Sequence, residues 1–64
     1  MKRPKYIIDL SVNRQYYFKL VAPNGKVLMT SETYLTYEGC RNGIRSTRIN
    51  AVIARVVDKT GGDD

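Results

Sequence analysis

A chain of 64 residues is one domain with a thin core, since folding at that size buries only about 60 % of the unfolded surface. Its single cysteine and lack of histidine exclude an internal disulfide and an ordinary zinc site, which leaves self-association as the remaining support for so small a fold. Its 11 Lys and Arg against 6 Asp and Glu, net charge +5, suit a polyanionic partner and serve solubility equally well.

The opening MKRPKYIIDL is basic. Its apolar part is short and interrupted by Asp9, unlike a secretory signal. No apolar run approaches the ~20 residues of a membrane span. With one thiol and no export signal, the expected compartment is the cytoplasm.

In chain order, YIIDL (residues 6–10) is rich in β-branched and aromatic residues and predicts a first strand. YYFKLVA (16–22) predicts a second, with Tyr16, Phe18, Leu20 and Ala22 on one face and Tyr17, Lys19 and Val21 on the other. The turn PNGK (23–26) then returns the chain into VLMTS (27–31). A two-residue Asn24-Gly25 turn sets Leu20 opposite Met29. A three-residue loop with a glycine bulge, which suits Pro23, sets it opposite Leu28. In either register both faces of the sheet carry apolar groups.

A helix follows, with Thr36 as its N-cap and Glu38 in the first turn, well placed for the dipole. Cys40, Ile44, Thr47 and Ala51 share one stripe at helical spacing. Gly39, Gly43, Ser46 and Asn50 form an adjoining strip of small side chains. Each glycine weakens a helix by about 0.5–1 kcal/mol relative to alanine, so the strip implies close approach of the helix backbone to the sheet. A membrane GxxxG contact is excluded by the surrounding arginines. Beyond Asn50, AVIARVVD (51–58) reads as a fourth strand, which pairs within the chain or adds to a partner's sheet edge. The fold class expected is therefore α+β in the order β-β-β-α-β: one domain over residues 1–64, with a core over about 5–58 and a frayed tail over 59–64.

The combination YYFKLVAPNGKVLMTSETY, then EGCRNGI and a closing NA, resembles the YegP-like family of uncharacterised bacterial domains. The residues that carry the likeness are Tyr16, Phe18, Leu20, Asn24, Gly25, Thr30, Ser31, Glu32, Tyr34, Gly39, Cys40, Gly43, Ile44, Asn50 and Ala51. The resemblance implies an antiparallel three-stranded sheet packed by one helix, and no known chemistry. Family members often carry two such units in tandem, so a single unit is expected to pair with its own copy. Leu35 and Ile49 stand where the family usually has lysine, and Asp9 where an aromatic is common.

Candidate sites divide between function and packing. Cys40, near the helix N-terminus and beside Arg41, is either an activated thiol or a small apolar core residue. Arg41, Arg45 and Arg48 recur at i, i+4 and i+7; with Lys19 or Arg55 they form a ribbon for phosphates or a solvated helix face. Tyr17 and Lys19 suit a base-stacking platform, and equally a dimer contact with Ile7 and Val21. Thr30, Ser31, Glu32 and Tyr34 either line a pocket or satisfy backbone groups at a strand–helix junction. With no histidine base and no glycine-rich phosphate loop, neither catalysis nor a cofactor is expected. The sequence therefore points to a homodimeric interaction module, its interface at Ile7, Tyr17, Val21 and Val56. The alternative is a weak, largely sequence-independent nucleic-acid binder using Arg41, Arg45, Arg48 and Lys19.

Overall fold

The computed structural model describes residues 2–61. Three antiparallel strands, β1 (Lys5–Leu10), β2 (Tyr16–Val21) and β3 (Val27–Thr30), lie in the order β1-β2-β3, followed by one helix, α1 (Tyr37–Ile53). The β1–β2 register sets Tyr6 against Leu20, Ile8 against Phe18 and Leu10 against Tyr16 on one face. Ile7 with Lys19 and Asp9 with Tyr17 lie on the other. The helix packs on the first of these faces, because alternation gathers the aromatic rings there. Phe18 meets Tyr6 edge-on at 6.0 Å and stacks on Tyr34 at 6.3 Å, while Tyr16 meets Tyr37 edge-on at 5.9 Å. Such pairs contribute about 0.5–1.5 kcal/mol beyond their buried area.

Both hairpins close with the same three-residue loop. Ser11 N–H donates to Gln15 O and Arg14 N–H to Ser11 O; Ala22 N–H donates to Lys26 O and Gly25 N–H to Ala22 O. The third loop residue takes positive φ in each, Arg14 at 62° and Gly25 at 90°. The loop predicted from Pro23 therefore forms, yet Leu20 pairs with Met29. A second irregularity reconciles the two registers. Val21 pairs with Val27 and Leu20 with Met29, so Leu28 has no opposite number and bulges out of β3.

Strand β3 gives way to the helix through side-chain chemistry. Ser31 Oγ accepts from Phe18 N–H at 2.9 Å and donates to Glu32 O at 2.8 Å, carrying the ladder past the last strand residue. A lone bridge ties Tyr34 to Tyr16, with Tyr34 N–H to Tyr16 O at 2.6 Å and Tyr16 N–H to Tyr34 O at 2.8 Å. Thr36 is the N-cap, its hydroxyl accepting from Gly39 N–H at 2.9 Å.

Three sequence expectations are corrected. The helix does not stop at Asn50: that side chain donates to Ser46 O at 2.8 Å, back along the helix, and α1 runs on to Ile53. Residues 54–59 form no strand within the chain, because β propensity needs a neighbouring strand to express itself. Residues 62–64 of the expected frayed tail lie outside the described residues. Nor do Gly39 and Gly43 serve the whole small-residue strip. They seat the ring of Tyr34, whereas Ser46 and Asn50 are exposed and bond to each other.

Among the described residues the buried apolar core is Phe18, Val21 and Cys40. The inward stripe of Cys40, Ile44 and Thr47 fades by Ala51, which is exposed, so the last turns of α1 extend beyond the packed region.

Candidate basic groove

The helix leaves a groove between itself and edge strand β1, with a volume of about 440 Å³. Tyr6 and Ile8 reach it from β1 because their parity is that of Phe18, and Ile44 reaches it from the inward stripe of α1. These three half-buried side chains make an apolar floor. Arg41, Arg45 and Arg48 line the helix side, where spacing of four and three residues keeps them on one flank; Lys5 lines the strand side. None of the lining residues is acidic.

The arginines differ in their attachments. Arg41 Nη1 donates to Tyr37 Oη at 3.2 Å, and its guanidinium lies 5.9 Å from the Tyr37 ring centroid. The Tyr37 hydrogen bond pushes the Arg41 pKa up. The side chains of Arg45 and Arg48 make no hydrogen bond or ion pair among the described residues. A second depression of about 300 Å³ continues past Arg45 and Arg48 to Ile49 and Val52. Glu38 and Asn42 share a further depression with Arg41 and Arg45 on the outer flank of the ribbon.

The structure thus brings together Arg41, Arg45 and Arg48 and separates Lys19 from them. Lys19 pairs with Ile7 on the sheet face away from the helix, in the company of Tyr17. Val21 belongs to that same face by register but is only 7 % exposed, so its own chain already covers most of it. Val56 follows the helix and is exposed, as is Arg55. Sequence reasoning missed Lys5, Tyr6 and Ile8 as groove residues. The strand alternation that pairs Ile8 with Phe18 was a usable signal for Tyr6 and Ile8; for Lys5 none was available.

Cys40 is fully buried, and burial pushes its thiol pKa up. Both effects favour the neutral, unreactive form, so the packing role describes it. No cluster of three or more metal-ligating side chains occurs among the described residues, and no helix is long and apolar enough to cross a membrane.

The described architecture is found in known proteins. The DUF1508 family, a domain of unknown function, matches residues 11–58. A UPF0339 protein of Photorhabdus laumondii is 46 % identical over 46 residues, covering 72 % of this chain and 40 % of that protein. A UPF0339 protein of Methanosarcina acetivorans is 38 % identical over 53 residues, covering 83 % of this chain and 91 % of the relative. The UPF0339 protein YegP of Yersinia pestis is 39 % identical over 46 residues, covering 72 % of this chain and 41 % of that protein. The chain therefore spans less than half the length of two of these relatives and nearly all of the third. The solution structure of a protein from Haloferax volcanii superposes with a TM-score of 0.81 at 27 % identity, covering 91 % of this chain and 98 % of that one.

Proposed function

The chain belongs to the DUF1508 family, and we propose that within it this protein is a small cytoplasmic interaction module that works as a homodimer and carries no catalytic activity. The observation that carries this reading is how poorly one copy encloses itself. Its Cα radius of gyration is 14.1 Å, where a compact chain of this length has about 11 Å. Its accessible surface is 5717 Å², against about 4,200 Å² for a folded monomer of this mass. Summed over two copies, the excess of about 1,500 Å² per chain lies in the range that obligate dimers bury.

Its composition supports the same reading. Val52, Ile53, Val56 and Val57 are exposed in succession at the end of α1 and just beyond it. Ile7 and Tyr17 are half-buried on the sheet face opposite the helix, while Val21 has less to offer because its own chain already covers it. A second copy offers residues 54–58, which follow the helix without a strand partner, the sheet edge they lack, and the second sheet face offers a further contact. Relatives about twice as long are consistent with two such units in one chain. The test is sedimentation across a dilution series. A dimer at micromolar concentration is expected; a folded, compact monomer at low micromolar concentration overturns the reading.

A second reading, nucleic-acid binding without strong sequence preference, is favoured by the gathering of Arg41, Arg45 and Arg48 on one groove. Titration with oligonucleotides at two salt concentrations tests it, since several phosphate contacts make affinity fall steeply with salt. Absence of binding at low salt removes it.

A further inference from the structure

We infer that the groove between β1 and α1 takes a single strand of nucleic acid, with phosphates at Arg41, Arg45 and Arg48 and a base against Tyr6, Ile8 and Ile44. This rests on the second reading above and goes further by naming the strand form and the residues that select it.

Four observations lead there. The cations are guanidinium groups, whose flat fork meets two phosphate oxygens at once. The side chains of two of them, Arg45 and Arg48, have no partner among the described residues, and no carboxylate lines the groove itself, Glu38 lying in the depression it shares with Arg41 and Arg45 on the outer flank. From Arg41 to Arg48 the helix rises about 10 Å at ~1.5 Å per residue, far enough for the three guanidinium groups to meet successive phosphates of one strand. The fourth is the floor. Tyr6, Ile8 and Ile44 pack the helix onto the sheet yet stay half-buried, so part of their apolar surface lies open at the foot of the arginine ribbon.

The floor also decides the strand form. A duplex keeps its bases stacked on one another inside, so it would leave the apolar surface in water. A single strand presents unstacked bases, which gain about 1–3 kcal/mol each from stacking on aromatic side chains. At about 440 Å³ the groove has the dimensions of a small-molecule pocket and admits a nucleoside while excluding a helix of paired strands.

The experiment uses the full chain and a fluorescent oligodeoxythymidine of about ten nucleotides, a length within the usual single-strand site range. Its blunt duplex and polyglutamate are the comparison ligands. Anisotropy is read at about 50 and 200 mM salt, and amide and methyl resonances report which residues respond. We expect at least five-fold tighter binding of the single strand than of the duplex, with shifts at Tyr6, Ile8 and Ile44. In the double variant Arg45→Gln/Arg48→Gln, the slope of log K against log salt should shrink by about 1.4, at ~0.7 for each phosphate no longer neutralised. Both arginines are on the surface of the helix and unpaired, so the variant keeps its fold, checked by circular dichroism. Lys19→Gln, on the opposite face, should leave the slope unchanged.

Failure to bind either nucleic acid at low salt ends both the general reading and this one. Equal affinity for duplex and single strand, with the floor resonances still, keeps the arginine ribbon as a nucleic-acid site and overturns the groove. Displacement by polyglutamate at matched charge overturns it in favour of an acidic polypeptide. An unchanged salt slope in the arginine double variant overturns it by placing the phosphates elsewhere.

Discussion

The ring of Tyr34 occupies the space in which Gly43 would carry a side chain: a Cβ at Gly43 would lie 2.6 Å from Tyr34 Cζ and 3.2 Å from Cε1. Tyr34 cannot readily yield. Its ring stacks on buried Phe18, and its backbone is bridged to Tyr16. Replacing glycine by alanine in an exposed helix adds up to about 1 kcal/mol of stability, whereas overfilling a packed contact costs about 1–3 kcal/mol. Packing wins here, so Gly43→Ala should lower stability by about 1–2 kcal/mol. Urea denaturation at fixed protein concentration measures it; a neutral or stabilising effect would show that the ring is free to move.

Arg14 and Gly25 hold the same loop position in the two hairpins, with φ of 62° and 90°, and only the glycine suits it. A side chain in this left-handed conformation costs about 1–2 kcal/mol, partly offset by the lower unfolded-state entropy of a non-glycine residue. Arg14→Gly should therefore raise stability by about 0.5–1 kcal/mol. Gly25→Ala should lower it by a similar amount. Thermal midpoints of the two variants should move in opposite directions; a shift of the same sign would contradict the shared loop geometry.

Cys40 has its folded-state pKa raised by burial. As pH rises, the unfolded chain therefore releases this proton before the folded one does. The contribution to stability is complete below the unfolded value of about 8.5 and declines as pH climbs through the folded pKa. Denaturation curves between neutral pH and about pH 10 should show this loss, and Cys40→Ala should remove the component due to the thiol. Alkylation of native Cys40 should be slow and follow global opening of the chain. A native rate equal to that of the unfolded chain would contradict its burial.

Val56 is 86 % exposed and Val52 83 % exposed in one copy. If each chain acted alone, a charge at either position would change stability by less than about 0.5 kcal/mol. If these side chains are covered by a second copy, Val56→Glu should weaken dimerisation by at least ten-fold, or about 1.4 kcal/mol. Sedimentation across the same dilution series distinguishes the outcomes, and Lys59→Glu provides a control for added charge alone.

The secondary structure is legible in the sequence where a local rule has no competitor. Alternation in YYFKLV marks β2 and both of its faces, and Thr36 followed by Glu38 marks the helix start. The PNGK turn is legible as a loop but not as a register, because the bulge at Leu28 depends on how β3 meets β2. The terminal AVIARVVD reads as a strand on composition. Its first three residues stay in the helix and the rest forms no strand, because no neighbouring strand within the chain pairs with it.

The glycines show the same boundary. Their cost to a helix signals that something must approach closely, and that much follows from backbone entropy alone. The approaching group is Tyr34, which precedes both glycines in the chain, and nothing in the spacing distinguishes it from a strand backbone. Likewise the ribbon of Arg41, Arg45 and Arg48 is readable from helical periodicity, but its apolar floor is not. Tyr6 and Ile8 come from the other end of the chain, and Lys19, which its charge alone grouped with the ribbon, lies on the far side of the sheet. Periodicity orders side chains about one element at a time, so the sequence by itself determined the three strands, the start and inward face of the helix, and the family. Which faces meet, and which cations share a groove, depends on contacts between distant segments, and only the tertiary structure decided those.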